Sequence, residues 1–340
     1  MSHRSSRRSF VLQGCAAATL GALPYTVATA ATGRVRIRHP NTPAGAAGAL
    51  WVGGDLQIDR MGFGTTDFVS NTGVVKEDPA QIRALLRRAI DLGINHLDCA
   101  DVYGSGLVDG LCERFIYDAL YPYPPDLIIA TKGGQLRGSL GGGEVKAVDG
   151  RPEHLRSACE SSLKRLKLEQ IPLYYMHQPD PAVPYEDSIG ELGKLQKEGK
   201  IRHIGVSNVT AEQLAGARAL VTVDAVQNRY NILSTQGQDI LADCERHRTA
   251  FIPFSLLGGR AAPIVGQQTE NSRLDALKSL ANERRISLTQ AQLAWLLASS
   301  PVMVTIPGTT KIEHLEENVA AAKVRFTKRE MERVAQGVRR

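Results

Sequence analysis

Residues 94–104 of this 340-residue chain read INHLDCADVYG, a strand-like apolar run that leads into the polar residues Asp98 and Tyr103. Two later runs have the same form, since LIIATK (127–132) ends in Lys132 and LYYMH (173–177) ends in His177. In an α/β barrel the carboxyl ends of parallel strands converge on one mouth, where barrel enzymes hold their catalytic residues. The pattern therefore predicts a barrel whose mouth gathers these four side chains.

The chain from residue 58 onward alternates between strand-like and helical patterns. Eight strands are predicted, at 58–65, 94–100, 126–132, 171–177, 201–206, 223–228, 250–257 and 302–307. Amphipathic helices are predicted between them, the first from Asp78 to Gly93 and others at 152–167, 186–198, 211–219, 236–247, 272–284 and 311–323. This order favours a single α/β domain, a (β/α)8 TIM barrel over 50–340. An open doubly wound sheet is the alternative, but GFGTTD (62–67) lacks the third glycine of its phosphate loop.

The four strand-end side chains are chemically suited to donate a proton. A lysine cation beside a tyrosine is expected to lower the pKa of the phenol from its ordinary value of about 10. Asp98 is expected to keep Lys132 charged and in place. The set therefore predicts that Tyr103 acts as an acid toward a carbonyl oxygen.

These motifs resemble those of the aldo-keto reductases. The resemblance rests on the four residues and on GVSN (205–208), VQNRYN (226–231) and IPGTT (306–310), in the family's order from about 50 to 326. It implies a TIM barrel that reversibly reduces an aldehyde or ketone to an alcohol with a nicotinamide dinucleotide. Asp98, Tyr103, Lys132 and His177 would be catalytic, with Tyr103 as general acid and His177 orienting the carbonyl.

The resemblance also implies a binding site for the dinucleotide. Ser207, Asn208 and Gln227 match the residues that bind the carboxamide, and Phe254 takes the place of the ring that stacks on nicotinamide. The other residues assigned to the nucleotide are Gly64, Thr65, Ser255, Leu257, Gly259, Thr309, Thr310, Lys311, His314, Glu317 and Asn318. The last barrel helix opens after Thr310, where free amides favour an anion such as an adenosine 2′-phosphate.

This chain departs from the family pattern at the expected phosphate site. Gly308 stands where many members have a lysine, and His314 stands where many have an arginine. Neither replacement is as strong a permanent cation. Lys311 is predicted to compensate, which favours NADP(H), with NAD(H) as the alternative.

The motifs indicate the substrate and the biological role less specifically than they indicate the fold and the reaction. The IPGTT and VQNRYN motifs look most like bacterial reductases that include pyridoxal reductases, so pyridoxal is a candidate substrate. The family also includes β-subunits of potassium channels, so a nucleotide-binding regulatory subunit is the alternative function. Two long loops after strand ends, 133–151 and 258–271, are predicted to be lids over substrate and cofactor.

Composition excludes several other classes of protein. The formal charge is +6, but the arginines before residue 10 supply half of it, and no basic stretch is interleaved with aromatic residues. Nucleic-acid binding is therefore not expected. The cysteines beyond the amino terminus, at 99, 112, 159 and 244, show neither disulfide nor zinc spacing. They are predicted to be buried thiols, and no metal is expected.

The amino terminus has the pattern of an export signal. Arg7, Arg8 and Phe10 precede an alanine-rich apolar stretch at 11–23 and the small residues at 28–30. This pattern predicts a signal peptide over 1–30 rather than a transmembrane helix, so no stable membrane insertion is expected. The paired arginines indicate the twin-arginine export machinery and a periplasmic or exported protein, with a cytoplasmic protein as the alternative. Residues 31–49 are predicted to be flexible.

Overall fold

The computed structural model of the chain describes residues 41–69, 75–104, 110–136, 148–257 and 268–337, and for 268–271 it gives the backbone alone. The predicted signal peptide, Gly259 and most of both predicted lids lie outside these residues.

An antiparallel hairpin precedes the barrel strands. Its strands are β1 (Ala49–Val52) and β2 (Leu56–Asp59). Apolar side chains of both strands are buried against Leu173 and Val304 inside the barrel. The predicted first strand, 58–65, is therefore wrong at its start, because 58–59 belong to the hairpin and the barrel strand begins at Phe63. The two elements follow each other closely and are both largely buried, so the sequence pattern contained no boundary between them.

Seven parallel strands form one sheet in the order of the sequence. They are β3 (Phe63–Gly64), β4 (His96–Asp98), β5 (Ile128–Gly133), β6 (Ile171–Met176), β7 (Ile201–Ser207), β8 (Ala225–Gln227) and β9 (Ala250–Phe251). The segment predicted as the eighth strand and the residue after it make isolated parallel bridges to both edges, from Met303 to Phe251 and from Gly308 to Gly64. The sheet thus curls onto itself, which fits a (β/α)8 barrel.

Ten α-helices occur among the described residues. They are α1 (Pro79–Asp91), α2 (Leu111–Leu120), α3 (Pro152–Leu166), α4 (Tyr185–Lys197), α5 (Ala211–Leu220), α6 (Gln238–His247), α7 (Gln268–Arg284), α8 (Leu288–Ser299), α9 (Ile312–Ala320) and α10 (Lys328–Gln336). Local sequence explains how α1 begins, since the Asp78 side chain accepts the Ala80 N–H at 2.7 Å and Pro79 takes the first helical position. Helices α2, α8 and α10 were not predicted from the sequence; α8 is buried on most sides and so has no polar stripe.

Short 3-10 turns complete the described elements, at Ala44–Ala47, Thr66–Phe68 and Ala321–Lys323. The first of them is packed, since Ala44 is fully buried and its N–H donates to the Leu92 carbonyl at 3.0 Å. Part of the segment predicted to be flexible is thus held against the residue that ends α1.

The described residues contain no helix long and apolar enough to cross a membrane. The cysteines at 99, 112, 159 and 244 are buried free thiols, as predicted. Within the same residues, no group of histidine, cysteine and acidic side chains is arranged to hold a metal ion.

The buried His203 connects the hairpin turn to the start of the barrel strands. His203 Nε2 lies 2.7 Å from Asp55 Oδ1 in the turn, and His203 Nδ1 lies 2.8 Å from Asp224 Oδ2 just before β8. Gly53 has φ +58°, and a Cβ there would lie 1.9 Å from His203 Cε1, so only glycine fits. Burial lowers the pKa of His203, but the hydrogen bonds and charges of Asp224 and Asp55 outweigh it, and the pKa is raised.

This contact predicts a pH-dependent stability. A histidine whose pKa is raised on folding stabilises the folded state fully below its unfolded pKa of about 6.5 and loses that effect as pH rises through its folded pKa. We expect the parent free energy of unfolding to decline from about pH 6.5 upward for this reason. His203→Gln should cost about 1 kcal/mol at pH 6 and flatten that decline.

Urea unfolding between about pH 6 and pH 9 measures both effects. His247→Gln, at an exposed position of α6, is the control and should follow the parent curve. Parallel curves for the parent protein and His203→Gln would contradict this role of His203.

Candidate active site

Asp98 and Lys132 form a buried ion pair at the carboxyl ends of neighbouring strands. Asp98 ends β4, and Lys132 is the penultimate residue of β5. Lys132 Nζ donates to Asp98 Oδ1 at 2.6 Å and to the Cys99 carbonyl at 2.7 Å, and the lysine side chain is 0% exposed. Burial lowers the pKa of Lys132, but the charge and hydrogen bond of Asp98, together with Tyr103 and Cys99, outweigh it and the pKa is raised. Lys132 is therefore a cation at neutral pH.

Tyr103 and His177 lie next to this pair. The Tyr103 ring centroid is 5.2 Å from Lys132 Nζ and 5.9 Å from the His177 ring, which it meets edge-on at 77°. Tyr103 follows β4 and is half-buried, whereas His177 follows β6 directly and is 5% exposed. The structure thus brings the four predicted residues together.

The pKa of Tyr103 differs from the sequence-based expectation. Burial raises the pKa of the phenol to about 12, Lys132 opposes this rise, and Asp98 adds to it. The predicted net lowering was therefore wrong, because desolvation outweighs the nearby cation. The result is a phenol that stays protonated at neutral pH, as a proton donor must.

A cavity of about 650 Å³ opens over these residues. Predicted residues that line it are Tyr103, His177, Ser207, Asn208, Gln227, Phe254 and Ser255. The cavity is also lined by residues that were not predicted from the sequence, which are Thr66, Gln135, Gln178, Val209, Asn228, Arg229, Gln236, Gly237 and Ile240. Most of these are neutral loop residues with no chemical signature in sequence, whereas Arg229 stands in the VQNRYN motif and could have been found there.

Three cavity residues keep unused hydrogen-bonding capacity that matches a carboxamide. Asn208 Nδ2 donates to the His177 carbonyl at 3.0 Å and to Ser207 Oγ at 3.2 Å, while Gln227 Nε2 donates to Asp98 Oδ2 at 2.8 Å. No hydrogen bond between described residues uses Asn208 Oδ1, Gln227 Oε1 or the Ser207 hydroxyl proton. Two acceptors and one donor are the complement of a primary amide. These residues therefore fit the nicotinamide carboxamide.

Phe254 lines the cavity beside an arginine. The Arg229 guanidinium carbon lies 5.5 Å from the Phe254 ring centroid. Arg229 is exposed and forms no ion pair with another described residue, so its charge is available to an anionic group in the cavity.

The remaining predicted nucleotide residues that the structure describes lie apart from the cavity wall. Thr65 Oγ1 donates to the Asp98 carbonyl at 3.0 Å, and Gly64 bridges to Gly308. Leu257 is 43% exposed at the edge of the described residues. Those before or within α9 are Thr309, Thr310, Lys311, His314, Glu317 and Asn318.

An acidic residue that the sequence analysis missed occupies the expected phosphate site. Lys311 Nζ pairs with Glu77 Oε1 at 2.8 Å, and Thr310 Oγ1 donates to the same oxygen at 3.1 Å. Lys311 precedes α9, and its N–H donates to Thr309 Oγ1 at 3.1 Å. The cation predicted to bind phosphate is therefore present, but it is paired with a carboxylate.

Comparison with known proteins identifies the family of this chain. The profile of the Aldo/keto reductase family matches residues 60–338. An uncharacterized oxidoreductase of Schizosaccharomyces pombe is 38% identical over 286 residues, covering 84% of this chain and 88% of that protein. Pyridoxine 4-dehydrogenase of Escherichia coli is 34% identical over 283 residues, covering 81% and 93%.

A similar fold occurs among solved structures. The glycerol dehydrogenase of Gluconobacter oxydans matches with a TM-score of 0.72 at 26% identity, covering 85% of this chain and 94% of that one. Both the extent of the profile match and the identity to full-length relatives lead to one conclusion: this chain belongs to the aldo/keto reductase family.

Proposed function

We propose that this protein is an NADP(H)-dependent carbonyl reductase that converts an aldehyde or ketone reversibly to an alcohol. The observation that carries the proposal is the Tyr103 phenol at a cavity wall, beside His177 and above the buried pair of Lys132 and Asp98. Membership of a family of oxidoreductases supports the general reaction.

Tyr103 is the proton donor in this proposal. Its high pKa keeps the phenol protonated until a carbonyl oxygen gains negative charge. Lys132, held charged by Asp98, then stabilises the phenolate that remains. His177 lies beside the phenol and hydrogen-bonds the same oxygen, which holds the carbonyl in place. Acid assistance of this kind contributes about 10²–10⁴-fold.

The dinucleotide, when bound, supplies the hydride, which no side chain can donate. Ser207, Asn208 and Gln227 would hold its carboxamide through the unused groups described above. Gln227 also donates to Asp98 Oδ2, so one residue connects the carboxamide site to the ion pair beneath Tyr103. Binding of the carboxamide would therefore restrain Gln227 and the ion pair of Asp98 and Lys132 as well as the nicotinamide.

The substrate class follows from the relatives and the cavity. A cavity of about 650 Å³ is the size of small-molecule sites. Its lining is mostly neutral and polar, with the Arg229 guanidinium beside Phe254, which suits a hydroxylated aromatic aldehyde such as pyridoxal, and one relative is named for oxidising pyridoxine. Pyridoxal is the proposed substrate to be tested first.

Removing the phenol tests the assigned acid. Tyr103→Phe keeps the ring beside Lys132 but has no proton to give, so we expect turnover of aldehydes to fall more than tenfold. NADPH affinity should stay within a few fold, because the phenol contacts substrate. Initial rates and fluorescence titration measure the two quantities.

Tyr185→Phe removes a hydroxyl from α4, outside the cavity, and should keep full activity. A Tyr103→Phe variant that retains a tenth of the parent rate would contradict the acid role. Tight NADPH binding by a parent protein that reduces no carbonyl would instead favour the regulatory-subunit alternative.

Nucleotide choice is tested at the pair of Lys311 and Glu77. If Lys311 binds the 2′-phosphate, Lys311→Ala should weaken NADPH binding by about 1–2 kcal/mol and leave NADH binding unchanged. Glu77→Gln removes the carboxylate that competes for the lysine and should strengthen NADPH binding alone. Titration of each variant with both nucleotides measures these changes.

Lys323→Ala, at an exposed residue after α9, is the control and should bind both nucleotides as the parent does. Equal losses for NADPH and NADH in Lys311→Ala would contradict the phosphate role. A parent preference for NADH would support the NAD(H) alternative.

Export with bound nucleotide is the proposed route for this chain. A barrel that binds a dinucleotide folds where the nucleotide is made, which requires an export route that accepts folded proteins.

Changing both Arg7 and Arg8 to lysine should retain the protein in the cytoplasm, as shown by cell fractionation. Periplasmic parent protein should contain stoichiometric nucleotide. Unchanged location of the variant would contradict the signal, and an empty but active periplasmic enzyme would contradict cofactor retention.

A further inference from the structure

A buried ionic cluster lies on the outer face of the strand that carries Lys132. Glu113, in the first turn of α2, accepts hydrogen bonds from Thr131 Oγ1 at 2.6 Å and from Arg165 Nε at 2.5 Å. Arg165, near the end of α3, also donates to Ser162 Oγ at 3.1 Å. Glu113 and Thr131 are 0% exposed. We call Glu113, Thr131, Ser162 and Arg165 the outer cluster.

The outer cluster joins β5 and α2, the two elements whose backbones hydrogen-bond to the segment that carries Tyr103. On one side, the Asp101 N–H donates to the Lys132 carbonyl of β5 at 3.1 Å. On the other side, the Cys112 N–H of α2 donates to the Tyr103 carbonyl at 3.0 Å. Thr131 immediately precedes Lys132 and points to the opposite face of β5. The bond from this threonine to α2 thus sets the spacing of the elements on both sides of Tyr103.

Arg165 also fixes the start of α2 by direct contact. Gly110 caps that helix with φ +65°, and a Cβ there would lie 2.0 Å from Arg165 Nε. The guanidinium therefore packs against the backbone at the position where α2 begins. Any residue larger than glycine would displace either the arginine or the helix start.

Stability alone does not account for such a cluster. Burying a carboxylate and a guanidinium costs desolvation free energy, and well-packed apolar residues of similar volume often serve stability equally well. What the charged pair provides, and apolar residues do not, is directional bonds at fixed lengths between three elements. These bonds define the relative positions of the elements around the Tyr103 segment more precisely.

We propose that the outer cluster is a positioning device that holds the Tyr103 phenol at its working distance from the Lys132 ammonium. The inference rests on the proposed role of Tyr103 as the acid. Loosening the cluster lets the start of α2 and the Tyr103 segment move away from β5. Proton transfer from Tyr103 then slows, while the cavity residues that contact the nucleotide and the substrate stay in place.

Thr131→Val is the test, because valine keeps the shape of threonine and removes only the hydroxyl. We expect kcat to fall about tenfold, since small misplacements of reacting groups carry costs of this order. KM for the aldehyde and Kd for NADPH should change less than twofold. In the direction of alcohol oxidation, the rise of rate with pH should move to higher pH, because Lys132 stabilises a more distant phenolate less. Thr131→Ser restores a hydroxyl and should recover most of the parent kcat.

Thr305→Val is the matched control. Thr305 is fully buried in the segment that closes the barrel, and its hydroxyl donates to the Arg60 carbonyl at 3.2 Å, away from Tyr103. It should keep the parent kcat and pH profile. Glu113→Gln is a second variant that keeps the shape of the carboxylate but weakens both bonds, and it should lower kcat at least as much as Thr131→Val.

Three outcomes would overturn the positioning role. They are a parent-like kcat in Thr131→Val, an equal fall in Thr131→Ser, and an equal fall in Thr305→Val. Failure of the proposed function is distinguishable, because Tyr103→Phe would then remain active whatever the Thr131 variants do. An inactive Tyr103→Phe with a parent-like Thr131→Val removes only the positioning role.

Discussion

The candidate site depends on keeping a lysine charged where water does not reach it. Lys132 is fully buried, so its ammonium persists only because Asp98 and the Cys99 carbonyl accept its hydrogen bonds. The second carboxylate oxygen of Asp98 is occupied by Gln227. A lone buried charge on either partner would be strongly unfavourable, so the pair must form together. The register of β4 and β5 pairs Asp98 with Ala130, and Lys132 lies two residues further along β5 on the same face of the strand, from which its long side chain reaches the carboxylate.

Among the described residues, the histidine that lies next to this pair along β4 is uncharged. His96 lies two residues before Asp98 on the same strand and is fully buried. Burial lowers the pKa of His96 to about 4, so the ring is neutral at physiological pH. Below it, apolar residues of the hairpin and strands fill the barrel. Lys132 thus acts on Tyr103 through a medium of low polarity, where a charge has a large effect.

The same desolvation has opposite consequences for the two groups that the proposed reaction uses. It raises the pKa of Tyr103, which keeps the proton available, and it makes Lys132 dependent on Asp98. At the far end of the proposed dinucleotide site, the balance differs because the groups are exposed. Lys311 is 51% exposed in its side chain and shares Glu77 with Thr310, so solvent weakens that pair and a phosphate can compete for the lysine.

The sequence by itself determined the alternation of strands and helices and the four residues at strand ends. Both are local patterns, in which side-chain periodicity and neighbouring residues carry the information. The positions for a carboxamide came from the family resemblance and stay a prediction. Tertiary structure alone decided that the first predicted strand divides into a hairpin strand and a barrel strand. It also decided the net pKa of Tyr103, the pairing of Lys311 with Glu77 and the cluster around Glu113. The physical reason is that desolvation and long-range pairing depend on which surfaces meet after folding, and spacing along the chain does not encode those distances.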